Sequence, residues 1–289
     1  MPLVLKKNQE LDIEGLRSNI RAYEEAGVQG YVSFGCMGEF YAINFDEFKQ
    51  VVDAARDETK KIACVFGTTF HNTAECVART KYARDAGVDG VMVGLPYLIP
   101  CNEDAAFSHF QSVNDVAETV QIMLYNNPFS FRFNISAEFW DRLVDLDRVK
   151  AVKESSYDVL HRSRVISRIS TRINVFSGGE FWILGDSLLG ANGIVSMAGP
   201  GVPRAVIELF DACMKGDLKR AIPYHVKFAN LFRNLTAENE VAWLKACAEF
   251  GGRTAGPPRA PYAVLDPKFA EKLHEELREI DAMAQKTQS

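Results

Sequence analysis

Gln121-Ile-Met-Leu-Tyr-Asn-Asn-Pro128 and, about twenty residues on, Val149-Lys-Ala-Val-Lys-Glu-Ser-Ser156 decide the fold. Each is a short apolar run that ends in a reactive side chain, Tyr125 in the first and Lys153 in the second. Between them Ala137 to Leu143 has the spacing of a helix. Strand, helix, strand in that order is a βαβ unit, whose two parallel strands point the same way and end on the same face. Tyr125 and Lys153 are therefore expected side by side at the mouth of one site.

The same beat runs outward in both directions. Upstream, strands are expected at Pro2 to Leu5 (short), Tyr31 to Phe34, Ile62 to Phe66 and Gly90 to Val93. Downstream they are expected at Ile173 to Phe176 and Gly193 to Ser196. Helical spacing fills the intervals, as in Leu11 to Ala26, Asp46 to Asp57, Asn72 to Ala86 and Glu103 to Ala117. Glu25-Ala-Gly-Val-Gln-Gly30 and Asp85-Ala-Gly-Val-Asp-Gly90 repeat one phrase: helix end, glycine stop, next strand. The strands are apolar on both faces, as covered parallel strands are. About eight such units in about 215 residues predict an α/β chain folded as a (β/α)8 TIM barrel. A doubly wound sheet is the rival, but no Gly-x-Gly-x-x-Gly or Walker loop follows a strand. After Met214 only helical spacing remains, at Leu218 to Leu235, Asn239 to Phe250 and Pro267 to Ala284. Residues 1–216 are thus expected to form the barrel and residues 217–289 a C-terminal helical subdomain packed on it.

The totals restrict the function. The chain has 289 residues, enough for one large core without disulfide or metal. Its net charge of -5, with no basic stripe, argues against nucleic acid. Its six cysteines include no Cys-x-x-Cys, which points to a reducing compartment rather than a disulfide framework or zinc site. No apolar run approaches the ~18 residues of a membrane span. The opening Met1-Pro-Leu-Val-Leu-Lys-Lys7 lacks signal-peptide architecture, so a cytoplasmic location is expected. The five histidines do not sit at metal-ligand spacings with carboxylates, and no Gly-x-Ser-x-Gly elbow is present. No metal site is expected.

Barrel enzymes carry their sites on the loops after the strands. Lys153 follows Ala151 and Val152, and a lysine held there loses solvation, which lowers its pKa and frees its amine for Schiff-base chemistry. By strand alternation Glu154 points the other way, toward the helices. Tyr125 either fills a barrel layer or shuttles protons without carrying permanent charge. In Gly35-Cys-Met-Gly-Glu39 the glycines let the backbone approach a ligand, so main-chain N–H groups there are candidates to hold a carboxylate. Ser177-Gly-Gly-Glu180 is the fourth unusual loop.

Taken in order, these loops resemble the dihydrodipicolinate synthase / N-acetylneuraminate lyase family of pyruvate-dependent class I aldolases. The resemblance runs through the Gly-x-x-Gly-Glu loop at Gly35 to Glu39, Tyr-Asn-x-Pro at Tyr125 to Pro128 and the strand-end lysine of Val152-Lys-Glu-Ser-Ser156. It continues through Ser177-Gly178 and Gly190-Ala-Asn-Gly-Ile-Val-Ser196 to the helical C-terminus. It implies that Lys153 forms an imine with a 2-oxo acid, that Tyr125 relays protons and that the Gly35 loop holds the carboxylate. On the same ground Cys36, Met37, Gly38, Gly178 and Ser196 bind substrate, the partner is a small molecule, no cofactor is needed, and the chain assembles as a homotetramer or homodimer.

Several positions depart from the family pattern. Cys36 and Met37 stand where many members have two hydroxyl residues. Ser130 replaces the arginine that binds the acid group of the aldehyde in dihydrodipicolinate synthases, and Leu98 replaces a tyrosine that reaches into a neighbouring subunit. Both argue against synthase activity. Pro128-Phe-Ser-Phe-Arg-Phe133 looks more like the hydratase-aldolase branch, with Phe34, Phe40, Phe129 and Phe131 as an apolar wall for an aromatic aldehyde. Met1-Pro2-Leu3 stands where a Thr-Pro-Phe-like phrase is usual, so the first strand is expected to be short or the start trimmed. The expected activity is C–C bond cleavage or formation between pyruvate and an apolar aldehyde. The alternatives are a 2-keto-3-deoxy sugar acid dehydratase or aldolase, with Ser156, Ser196 and Asn192 as polar contacts, and a non-catalytic 2-oxo acid binder.

Overall fold

The structure, a computed structural model, describes residues 1–286. Seven strands form one parallel sheet in chain order: β1 (Gly30–Ser33), β2 (Ala63–Gly67), β3 (Gly90–Val93), β4 (Gln121–Asn126), β5 (Val149–Glu154), β6 (Asn174–Ser177) and β7 (Gly193–Ile194). Each pair is joined through helix, as parallel strands require. The first helices are α1 (Ile13–Glu25), α2 (Phe45–Glu58), α3 (Thr73–Asp85) and α4 (Glu103–Ala117), followed by the short α5 (Pro128–Phe131) and α6 (Phe139–Leu143). Then come α7 (Val159–Ile169), α8 (Glu180–Leu188), α9 (Pro203–Met214), α10 (Leu218–Leu231), α11 (Glu240–Phe250) and α12 (Pro267–Lys286). Among the described residues, no helix is long and apolar enough to cross a membrane.

The repeated phrase does the same job twice. At the ends of α1 and α3 the last turn closes on Ala26 and Ala86, both with φ -72° and ψ -10°. Gly27 and Gly87 then take φ +78° and +76°, a left-handed step that glycine adopts without strain, and aim the chain at β1 and β3. The helix starts are equally explicit. Asn44 and Glu47 form a reciprocal capping box on α2, and Asn72, Asn102 and Asp158 each accept from a backbone amide three residues on.

Two apolar cores result. The first joins the sheet to the earlier helices and includes Phe34, Phe48, Phe66, Trp140 and Val152. The second binds α8 to α12 through Ile183, Leu209, Phe228, Trp243, Leu277 and Ile280. Full burial of each such side chain contributes about 1.5–3 kcal/mol.

Two expectations need correction. Pro2 to Leu5 is no strand of the sheet; its ladder contact is a single antiparallel bridge between Leu5 and Leu11. Leu3, Val4 and Leu5 are buried nonetheless, because Leu5 N donates to Ala255 O at 3.1 Å and Asp12 N to Val4 O at 3.0 Å. The helix expected to reach Leu235 ends at Leu231 and tightens into a 3-10 turn at Phe232–Asn234. The aromatic stretch after Asn127 coils into α5, because Pro128 suits a first helical turn and Asn127 accepts from Ser130 N.

Candidate active site

The strand ends converge on a cavity of about 400 Å³. In the ladder Tyr125 pairs with Lys153, and Asn126 with Glu154. Alternation sends Tyr125 and Lys153 into the cavity and their neighbours outward. Lys153 Nζ lies 4.5 Å from the centre of the Tyr125 ring. Glu154 takes the opposite side: it accepts from Asn126 Nδ2 at 2.8 Å and Ser156 N at 2.7 Å, and faces Arg162 of α7 at 3.7 Å. It is not an acid–base partner of Lys153.

Burial lowers the pKa of Lys153, partly opposed by the nearby acidic groups Cys36, Glu240 and Glu180. A buried ammonium loses hydration that its free base does not need, so more free amine is present at neutral pH. Burial pushes the Tyr125 phenol well up, so it stays protonated. Its oxygen accepts from Asn127 Nδ2 at 3.0 Å, and its hydroxyl also meets the Cys36 sulfur at the cavity wall. The ring is braced from behind by Phe131, edge to face at 5.3 Å.

The Gly35 loop is a 3-10 turn, Cys36–Gly38, that closes on Glu39 in the left-handed region at φ 59°. Gly38 N donates to Gly35 O and Glu39 N to Cys36 O. The amides of Cys36 and Met37, at the start of the turn, meet no acceptor among the described residues. They are two adjacent donors at the cavity wall, a geometry suited to a carboxylate. The Cys36 thiol donates to Ser130 Oγ at 3.4 Å and accepts from Asn127 Nδ2 at 3.8 Å.

Cys36, Met37, Gly38, Gly178, Ser196 and Phe129 all line the cavity with Lys153 and Tyr125. Gly178 is held tight: a Cβ there would collide with Ser155 Oγ and the Glu154 carbonyl. The Ser196 hydroxyl is already engaged, donating to the buried Glu180 carboxylate and accepting from Gly199 N at 2.6 Å. Phe131 is the exception. It is 2% exposed and supports Tyr125 from outside the lining. Phe34 and Phe40 are also not wall residues. Phe34, at φ +58°, turns its ring onto Phe48 and Phe66, and Phe40 packs edge to face on Tyr41 and Tyr97. Ser156 and Asn192 lie off the lining as well.

Sequence reasoning missed part of the wall. Phe181 and Trp182 enter from α8, Tyr157 from the turn after β5, Leu235 from the loop before α11, and Glu240 and Leu244 from α11. Phe181 and Trp182 directly follow the Ser177 loop, and that adjacency was the available signal. Nothing marks Glu240, because an acidic residue in a first helical turn is commonplace. Burial pushes the Glu240 carboxyl up to about 7, with the nearby Lys153 charge pulling it down. Among the described residues no three His, Cys, Asp or Glu side chains converge as metal ligands would.

Against known proteins, the dihydrodipicolinate synthetase family model matches residues 3–280. A 4-hydroxy-tetrahydrodipicolinate synthase of Methanospirillum hungatei is 33% identical over 97% of this chain and 96% of its own. Among solved structures, the 4-hydroxy-tetrahydrodipicolinate synthase of Methylacidiphilum fumariolicum superposes with a TM-score of 0.91 at 27% identity, covering 99% of this chain and 96% of that one. A putative dihydrodipicolinate synthetase from Pseudomonas aeruginosa gives 0.90 at 26%, over 96% and 97% of the two chains. The chain belongs to the dihydrodipicolinate synthetase family and is an enzyme of its lysine-imine lyase class.

Proposed function

We propose that the protein makes or cleaves a C–C bond between pyruvate and an apolar aldehyde through an imine on Lys153. The observation that carries this reading is one cavity holding a desolvated lysine amine, a neutral phenol beside it and two free amides on the adjoining wall. The Lys153 amine attacks C2 of the 2-oxo acid, whose carboxylate sits on the Cys36 and Met37 amides. Tyr125 donates a proton to the carbinolamine oxygen, which leaves as water. The protonated imine takes up the electron pair of a C3–H bond, whose proton passes to the Tyr125 oxygen left deprotonated by the first transfer, and an enamine results. C3 of the enamine then attacks the aldehyde carbon, and the aldehyde oxygen takes the proton back from Tyr125. Hydrolysis of the new imine returns the amine; cleavage is the same path reversed.

The relatives' names give no support to an apolar partner. Its support is the lining itself: Phe129, Phe181, Trp182, Met37 and Met197 face the cavity, and no arginine does. The sugar-acid reading loses two of its three polar contacts, since Ser156 and Asn192 are off the lining. A second reading, condensation to 4-hydroxy-tetrahydrodipicolinate, is favoured by the 33% identity to the Methanospirillum synthase.

We also read the sheet as part of a (β/α)8 barrel. The Met1 amino group donates to Val32 O at 2.7 Å and Leu3 O accepts from Lys245, which supports residues 2–5 in the eighth place. The second core supports a helical subdomain over residues 217–289. The exposed Leu98 and Ile99, at 73% and 74%, support a homo-oligomer, which sedimentation velocity tests.

The test of function is borohydride trapping with pyruvate, read by intact mass and peptide mapping. An adduct on Lys153, absent in Lys153→Ala, is expected. A folded protein that forms no adduct sinks the imine reading. Screening aldehydes by pyruvate consumption then separates the partners, and formation of 4-hydroxy-tetrahydrodipicolinate would favour the second reading.

A further inference from the structure

The wall opposite the strand ends is built by the C-terminal helices. Val241 to Ala248 of α11 are all buried, and the helix reaches the cavity through Glu240 and, one turn on, Leu244. The half-buried Glu240 carboxyl feels burial and the charge of Lys153, and no hydrogen bond is among the influences on it. Beyond Lys153 it is the other charged side chain on the lining. The lining it joins has Phe129, Phe181, Trp182, Leu235 and Leu244 as its apolar part and carries Tyr157 and Thr236 as well. A desolvated acceptor with no partner costs free energy unless a ligand donates to it or a proton neutralises it. Once Lys153 is held in an imine, the incoming second substrate meets Glu240 as the remaining charged side chain on the lining, together with the hydroxyls of Tyr157 and Thr236.

We propose that the Glu240 carboxyl selects the carbonyl partner: it accepts a hydrogen bond from an uncharged, hydroxyl-bearing aldehyde and turns away aldehydes that carry their own carboxylate. The inference rests on the pyruvate-imine reading above. Discrimination arises from repulsion as much as attraction, since two carboxylates in one cavity whose lining has no arginine among the described residues disfavour each other. Glu240 is ionised on the alkaline side of about 7, so the repulsion is present there and fades below it. The ionisable side chains that feel its charge are Lys153, Cys36, Tyr41, Tyr125 and Tyr157. Burial raises the pKa of the thiol and the three phenols, which keeps them neutral in that window and leaves Glu240 to titrate.

The test uses the pyruvate adduct reduced with borohydride, which fills the imine end and leaves the outer cavity open. Phenol and benzoate, of like shape and opposite demand, are titrated into it by calorimetry at pH 8 in the wild type and in Glu240→Gln. The wild-type adduct is expected to bind phenol at least about tenfold more tightly than benzoate, and the Gln variant to close that gap. In the wild type alone the gap narrows between pH 8 and pH 6 as Glu240 takes up a proton, an arm that survives if the variant fails to fold. Equal phenol-to-benzoate ratios across variant and pH overturn the proposal, as does binding of neither probe to the wild-type adduct. Loss of the adduct in a folded Gln variant also overturns it, since Glu240 would then act on the imine. If the wild type itself forms no adduct, the imine reading fails and this proposal falls with it.

Discussion

Lys153 and Tyr125 share a cavity because they share a rung of the ladder, and their chemistry follows from the burial this imposes. A phenol that stays protonated donates well to a departing hydroxyl. Tyr125→Phe keeps the ring on Phe131 but removes that proton, so pyruvate adduct formation should slow by about 10²- to 10⁴-fold while the mapped site stays at Lys153. Stopped-flow or quenched trapping at fixed pyruvate measures it, and an unchanged rate removes Tyr125 from the proton path. Lys153 gives a pH prediction of definite sign. Its pKa is lowered, so the rate of adduct formation should rise with pH and level off below the range of an ordinary lysine. Glu240 opposes that lowering; Glu240→Gln should shift the plateau to lower pH still. A plateau that moves up instead contradicts the assignment of charges. That both residues meet at one cavity was legible in the sequence, since each ends an apolar run at a strand's C-terminal end. Glu240 was not legible, because what makes it unusual is the cavity it faces and not its neighbours in the chain. Phe34 was misread for a related reason: its left-handed backbone, invisible in the sequence, turns the ring to the core.

At the scale of elements, β5 and β6 are tied to the helix layer by a buried group of charges. Arg162 of α7 faces Glu154 at 3.7 Å and pairs with Asp186 of α8, which also accepts from Ser177 Oγ; all three charged residues are buried. Such a group adds little net stability when complete and is costly to break, because the remaining charges stay buried. Arg162→Ala should therefore destabilise by about 3–5 kcal/mol in urea unfolding. Burial already raises the Glu154 pKa, with Arg162 as the largest opposing influence. Without Arg162 the folded state holds a proton on Glu154 that the unfolded state releases, so stability falls as pH rises above the unfolded carboxylate range. The deficit of the variant should thus be larger at pH 8 than at pH 5, and a deficit that shrinks with pH contradicts the account. The helices and most strands were readable from periodicity, caps and the glycine stops. α5 was not, because Pro128-Phe-Ser-Phe131 shows no helical period over so few residues; the Asn127 cap and Pro128 make the turn.

Across the whole molecule, the cavity belongs to both cores, and one ion pair couples them. Lys245 of α11 contacts Glu39 at 2.9 Å and donates to Leu3 O and Pro257 O, each at 2.8 Å. Glu39 closes the Cys36–Gly38 turn and accepts from Arg259 N at 2.6 Å. One buried pair thus fixes the chain start, the loop before α12 and the two free amides relative to one another. The sequence showed neither partner's role, since 206 positions separate Glu39 from Lys245 and no local pattern spans that interval. It also suggested a strand at residues 2–5, where burial against the C-terminal loop has replaced ladder pairing. Lys245→Met keeps much of the volume but leaves Glu39 charged and unpaired, so it should cost about 3–5 kcal/mol of stability. It should also raise the KM for pyruvate more than it lowers kcat, because the amides of Cys36 and Met37 lose their anchor while Lys153 and Tyr125 keep theirs. Adding Glu39→Gln removes the stranded charge, and the double variant should regain part of the stability without regaining the KM, since the turn is still untethered. If the double variant recovers both, the pair acts through charge alone; if the single variant leaves KM untouched, the turn holds its shape without α11.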